Sequence, residues 1–104
     1  MQTFGSIIRN AREGKGLFLR HVAAELDIDQ AIISKFERSE RKPTKKQVLK
    51  FAKFYKIDKG DLLVAWFSDR VAYELLTEKN HEKILIVAEE KIKYLKSKKI
   101  TEKV

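Results

Sequence analysis

The chain has 104 residues, 43% of them apolar and 37% charged, with a formal net charge of +8. That length suits one domain with a single core, and six Phe, three Tyr and one Trp supply enough apolar mass to exclude a wholly disordered chain. The absence of cysteine excludes disulfides and thiolate zinc sites, and the basic excess points to a polyanionic partner: DNA, RNA or an anionic membrane surface.

Only four glycines and one proline punctuate the chain, and no strand-like alternation is bounded by turn pairs, so an all-α fold is expected. A first helix is predicted over residues 4–15, capped by Thr3 and stopped by a left-handed Gly16, with Phe4, Ile7, Ile8 and Ala11 on one face. Because Arg9 and Arg12 interrupt this stretch, it does not read as a signal peptide. A second helix over residues 18–26 puts Leu19, Val22, Ala23 and Leu26 inward. A third, over residues 30–38, follows a three-residue link and takes Asp29 as its N-cap. After a basic loop at residues 39–43, Thr44 and Gln47 have the spacing of a capping box at the start of a fourth helix. That helix runs to about residue 56 and buries Val48, Phe51, Ala52 and Tyr55.

A fifth helix begins near residue 58 or 59, and residues 64–76 are apolar on several sides, with a break expected at Ser68–Asp69. A last helix over residues 78–98 carries Ile84, Leu85, Ala88, Ile92 and Leu95 on one face, and its lysine-rich end, residues 96–104, is expected to fray. The division is therefore expected at 1–63 for a compact domain and 64–104 for a helical extension. Apolar runs such as residues 84–88 are far too short for a membrane span. A soluble cytoplasmic, nucleoid-associated protein with no membrane partner is the expectation.

Two short helices joined by a three-residue link have the spacing of a helix-turn-helix. At 100° per residue, Ile33 and Phe36 fall on one side of the third helix with Ile32 beside them, and Gln30, Ala31, Ser34, Lys35 and Arg38 on the other. The first set suits a core. The second suits the major groove, where glutamine can pair with adenine, lysine can donate to guanine, and alanine can touch a thymine methyl. Between residues 35 and 46, six cations (Lys35, Arg38, Arg41, Lys42, Lys45, Lys46) face only Glu37 and Glu40, a balance suited to phosphate contact. The same polar face could instead be ordinary solvated surface, and Lys46, Lys50 and Lys53, opposite Val48, read equally well as solvated.

The run from Asp27 to Thr44, with Ala23, Ile33, Phe36, the Ile-Ser-Lys-Phe-Glu-Arg segment and Pro43–Thr44, resembles the helix-turn-helix of the Cro and phage-repressor (XRE) family. The resemblance covers about residues 4–63. It implies a five-helix lambda-repressor-like domain with a C-terminal helical extension. It further implies base contacts from Gln30, Ala31, Ser34 and Lys35, and phosphate contacts from Arg38, Ser39, Arg41, Lys42 and Thr44. Glu37 would be structural, with Arg12 as its expected partner. Three positions depart from the family pattern: Phe18–Leu19 replaces the usual Ser/Thr-Gln, so that Arg20 or His21 would substitute there, and Asp27 and Ser39 stand where glycine is common.

Of the remaining candidates, His21 and His81 lack cysteine or clustered carboxylate partners in sequence, and no nucleophile–base pair or phosphate-cradling glycine loop occurs. The chain reads as a non-enzyme with no cofactor and no small-molecule ligand. Phe54, Trp66, Phe67, Tyr73, Leu76 and Ile84 are either extra core or, as favoured here, a homodimer interface. The expected function is a homodimeric transcription regulator, a repressor or autoregulator reading a palindromic operator in double-stranded DNA. A restriction-modification controller or antitoxin of the same fold stays open. So do a protein-interaction module without DNA readout and non-specific binding of RNA or a membrane surface.

Overall fold

The computed structural model describes residues 2–103, with side chains described over residues 2–98. It is all-helical: α1 (Phe4–Gly14), α2 (Leu19–Leu26), α3 (Gln30–Glu37), α4 (Lys45–Tyr55), α5 (Lys59–Leu75) and α6 (His81–Lys103), with no strand among the described residues. Two compact units divide the chain, Met1–Val71 and Ala72–Val104.

The first unit holds the core. Ile8, Val22, Ile33, Val48, Phe51 and Leu62 are completely buried, so each of α1 to α5 sends at least one large apolar side chain to the same centre. Phe51 lies at its middle, with edge-on neighbours Phe4 and Phe36 at 5.9 and 6.2 Å between ring centroids. The inward faces follow the helical spacing expected for α1 to α4.

The helix ends are closed by a recurring device. Gly16, Asp27, Ser39 and Lys56 all have positive φ, between 53° and 65°. Beyond each, the next N–H reaches back to a helix carbonyl: Leu17 to Arg12, Ile28 to Ala23, Glu40 to Lys35 and Ile57 to Ala52, at 2.9–3.3 Å. This is the Schellman pattern. Leu17, Ile28 and Ile57 then pack against the core. Asp27 and Ser39, where the family pattern has glycine, thus keep the left-handed turn with a side chain in place.

Helix α5 does not break at Ser68–Asp69. The Ser68 hydroxyl donates to the Ala65 carbonyl within the helix at 3.1 Å. The Asp69 carboxylate accepts the Phe4 N–H at 2.9 Å, giving α1 a second N-terminal cap beside Thr3. The polar pair is therefore satisfied without interrupting the helix. As a result the first unit runs through Val71, and the boundary expected after residue 63 falls inside α5. In the second unit, α6 is exposed along its described length apart from half-buried Val87 and Ala88. The end expected to fray lies mostly outside the described side chains.

Candidate nucleic-acid interface

Helix α3 has eight residues, too short to hold itself, so its two ends are fixed by neighbours. At the N-terminus the Asp29 carboxylate accepts from the N–H groups of Ala31 and Ile32, at 2.9 and 3.3 Å. Toward the C-terminus, the carboxylate of Glu37, only 8% exposed, takes a two-point hydrogen bond from Arg12. Nε meets Oε2 at 2.8 Å and Nη2 meets Oε1 at 3.0 Å, while Nη1 donates to the Leu17 carbonyl at 3.0 Å. The pairing expected between these residues is present, and the hydrogen bond to Glu37 holds the Arg12 pKa above its ordinary value.

Ile33 and Phe36 face the core at 0% and 2% exposure. Gln30, Ala31 and Lys35 are exposed on the other side, and Ser34 is half-buried. The Ser34 hydroxyl accepts from Arg38 Nη1 at 3.0 Å, and Arg38 also pairs with Glu40. Arg38 is therefore engaged by its own helix end, unlike Arg41 and Lys42, which are exposed and belong to no ion pair among the described residues.

The loop ends at a complete capping box. The Thr44 hydroxyl oxygen accepts the Gln47 N–H at 3.2 Å, and the Gln47 side chain accepts the Thr44 N–H at 2.9 Å. The Thr44 hydroxyl proton stays available to a phosphate. At the start of α2, where Phe18 cannot cap, His21 Nδ1 accepts the Phe18 N–H at 3.2 Å, and the Arg20 guanidinium lies over the Phe18 ring at 4.6 Å. Lys50, read as solvated, instead donates to the Leu26 carbonyl at 3.1 Å and closes the end of α2.

Trp66, placed by the sequence reading at a chain-to-chain interface, is a core residue. It is 8% exposed, and its indole N–H donates to the Pro43 carbonyl at 3.0 Å. The physical reason is the unbroken α5, whose Leu62, Ala65 and Trp66 extend one buried stripe. Of the other interface candidates, Phe54 is half-buried edge-on to Tyr55 at 5.0 Å, whereas Phe67, Tyr73, Leu76 and Ile84 are exposed. The sequence reading missed Gly5. A Cβ there would stand 2.4 Å from the Phe36 carbonyl oxygen and 2.7 Å from that of Glu37, so only glycine lets α1 touch the end of α3.

Two short helices at a tight left-handed turn, the second burying one side and presenting a polar one above a cationic loop, define a helix-turn-helix DNA-binding domain. The helix-turn-helix family model matches residues 8–62, more than half of the chain, and the chain belongs to the Cro and phage-repressor (XRE) family of helix-turn-helix DNA-binding transcription regulators. No curated protein and no solved structure matches it. No helix among the described residues is long and apolar enough to cross a membrane.

Proposed function

We propose that the protein is a homodimeric repressor or autoregulator that reads a palindromic operator through the exposed face of α3. The observation that carries this reading is the sidedness of that helix: Ile33 and Phe36 are buried while Gln30, Ala31 and Lys35 stay open. Gln30, Ala31, Ser34 and Lys35 read base edges. Arg20, Ser39, Arg41, Lys42 and Thr44 hold phosphates, joined by Arg38 once it exchanges Glu40 for the backbone. Large exposed side chains support pairing of two chains: Phe67 at 44%, Tyr73 at 55%, Leu76 at 74% and Ile84 at 38%. A paired protein presents its two α3 helices about 34 Å apart, one turn of duplex. Occupying a promoter in this way excludes polymerase.

Selection from random duplexes, followed by binding across a salt series, tests this. The selected site should be palindromic and bound at least about a thousandfold tighter than scrambled duplex. Gln30→Ala and Lys35→Ala should erode that ratio, while Arg41→Ala should weaken every duplex alike. Unaltered discrimination in the first two variants ends the base-contact assignment. A species of 12.2 kDa at micromolar concentration ends the dimer.

A further inference from the structure

Arg70 lies beyond residues 8–62, the part matched by the family model. Its guanidinium carbon sits 4.7 Å from the Trp66 ring and 5.6 Å from the Phe67 ring. It belongs to no ion pair among the described residues. The neighbouring carboxylate, Asp69, is turned to the Phe4 N–H. Arginine stacked on an aromatic face keeps its in-plane N–H donors free and gives up little further freedom when it meets an anion. The ring beneath it is held by the indole bond to the Pro43 carbonyl. Pro43 lies between Lys42 and Thr44, so a single indole separates Arg70 from the loop proposed to hold phosphates.

We propose that Arg70 is an additional DNA-backbone contact: a guanidinium fixed on Trp66 and Phe67 that binds a phosphate next to the one held by residues 41–44. This rests on the DNA-binding reading above and adds a site that α5 builds outside the family domain. Trp66 is a positioning residue in this arrangement. Through Pro43 it sets the loop, and through its ring it sets the arginine. A purely stabilising role for the stack would leave duplex affinity untouched.

The test measures binding of the full chain to a mixed-sequence duplex of about 20 base pairs, two helical turns, across a salt series. Arg70→Gln should lower affinity about tenfold at low salt and flatten the log–log salt slope by about 0.9 per bound chain. Lys59→Gln removes a cation from the opposite end of α5 and should change neither. Arg70→Lys keeps the charge but not the planar stack, and should retain the slope while binding a few-fold more weakly. It also serves where Arg70→Gln melts early, since unchanged affinity in Arg70→Lys defeats the stacked-guanidinium role. Wild-type affinity and slope in a folded Arg70→Gln, or an equal loss in Lys59→Gln, overturns the assignment while leaving DNA binding standing. A wild-type chain with no salt-dependent duplex binding removes both.

Discussion

The Arg12–Glu37 pair joins α1 to the end of α3, and its removal should have a characteristic asymmetry. The Glu37 side chain is 4% exposed and that of Arg12 14%, so the carboxylate depends more completely on its partner. Arg12→Met strands a buried carboxylate and also frees the Leu17 carbonyl. It should cost about 3–5 kcal/mol, a large part of the roughly 4–10 kcal/mol expected for a domain of this size. Glu37→Gln keeps the shape and one acceptor, and leaves Arg12 with Leu17 and partial access to water. Its cost should be about 1.5–3 kcal/mol. Replacing both, as Arg12→Met with Glu37→Gln, removes the stranded charge and should be less destabilised than Arg12→Met alone. Urea unfolding followed by helical circular dichroism reads all four proteins. A double variant equal to the sum of the two singles within about 0.5 kcal/mol would show that the groups act independently and refute the argument.

Three further perturbations follow from the same core and turns. The Tyr55 hydroxyl is buried without a hydrogen-bond partner among the described residues, and burial pushes its pKa from 10.0 up to about 12. The folded state thus holds this proton more tightly than the unfolded one, so stability should be intact below pH 10 and fall as pH rises toward 12. Tyr55→Phe should remove that component of the alkaline loss and gain about 1 kcal/mol at neutral pH by deleting an unsatisfied group, read by urea melts at both pH values. Gly5→Ala should destabilise by at least about 1–3 kcal/mol, because its methyl meets two backbone carbonyls rather than a movable side chain; a neutral thermal melt would contradict the close approach. Ser39→Gly and Lys56→Gly, both at positive φ, should each stabilise by about 0.5–1 kcal/mol. Asp27→Gly should gain less, because aspartate enters the left-handed region more readily.

What was legible in the sequence follows from the range of each interaction. Caps and turns are local, so Thr3, Asp29 and the Thr44–Gln47 box could be read from spacing of three residues or fewer. The inward faces of α1 to α4 repeat at helical period, and one side of α3 emerged in the same way. Helix α5 was harder because its polar pair looked like a terminator. Its partners lie far away in sequence: Asp69 reaches Phe4, and Trp66 reaches Pro43. The stripe Leu62, Ala65, Trp66 and Asp69 at intervals of 3, 1 and 3 carried the signal for an unbroken helix, but it was masked by Val64, Phe67 and Val71 on the outer side. Gly5 was invisible for a different reason. A close approach between backbones leaves no periodic trace.

These long-range links bear on function because the candidate recognition helix owes little to itself. An eight-residue helix is well below the length that is stable alone in water, about 12–15 residues. Its register is imposed by Asp29 at one end, by Gly5 and Arg12 at the other, and by Ile33 and Phe36 beneath. The exposed side chains Gln30 and Lys35, proposed above to enter the groove, therefore inherit their positions from residues on the other sides of the helix. Loss of the Arg12 bond should then reduce operator affinity even where the chain remains folded, well below its melting temperature. It should do so without flattening the salt slope, because no phosphate contact is removed. Loss of Arg41 would do the reverse, flattening the slope with the fold intact. The two kinds of residue are separable by one titration, since one presents the surface and the other forms part of it.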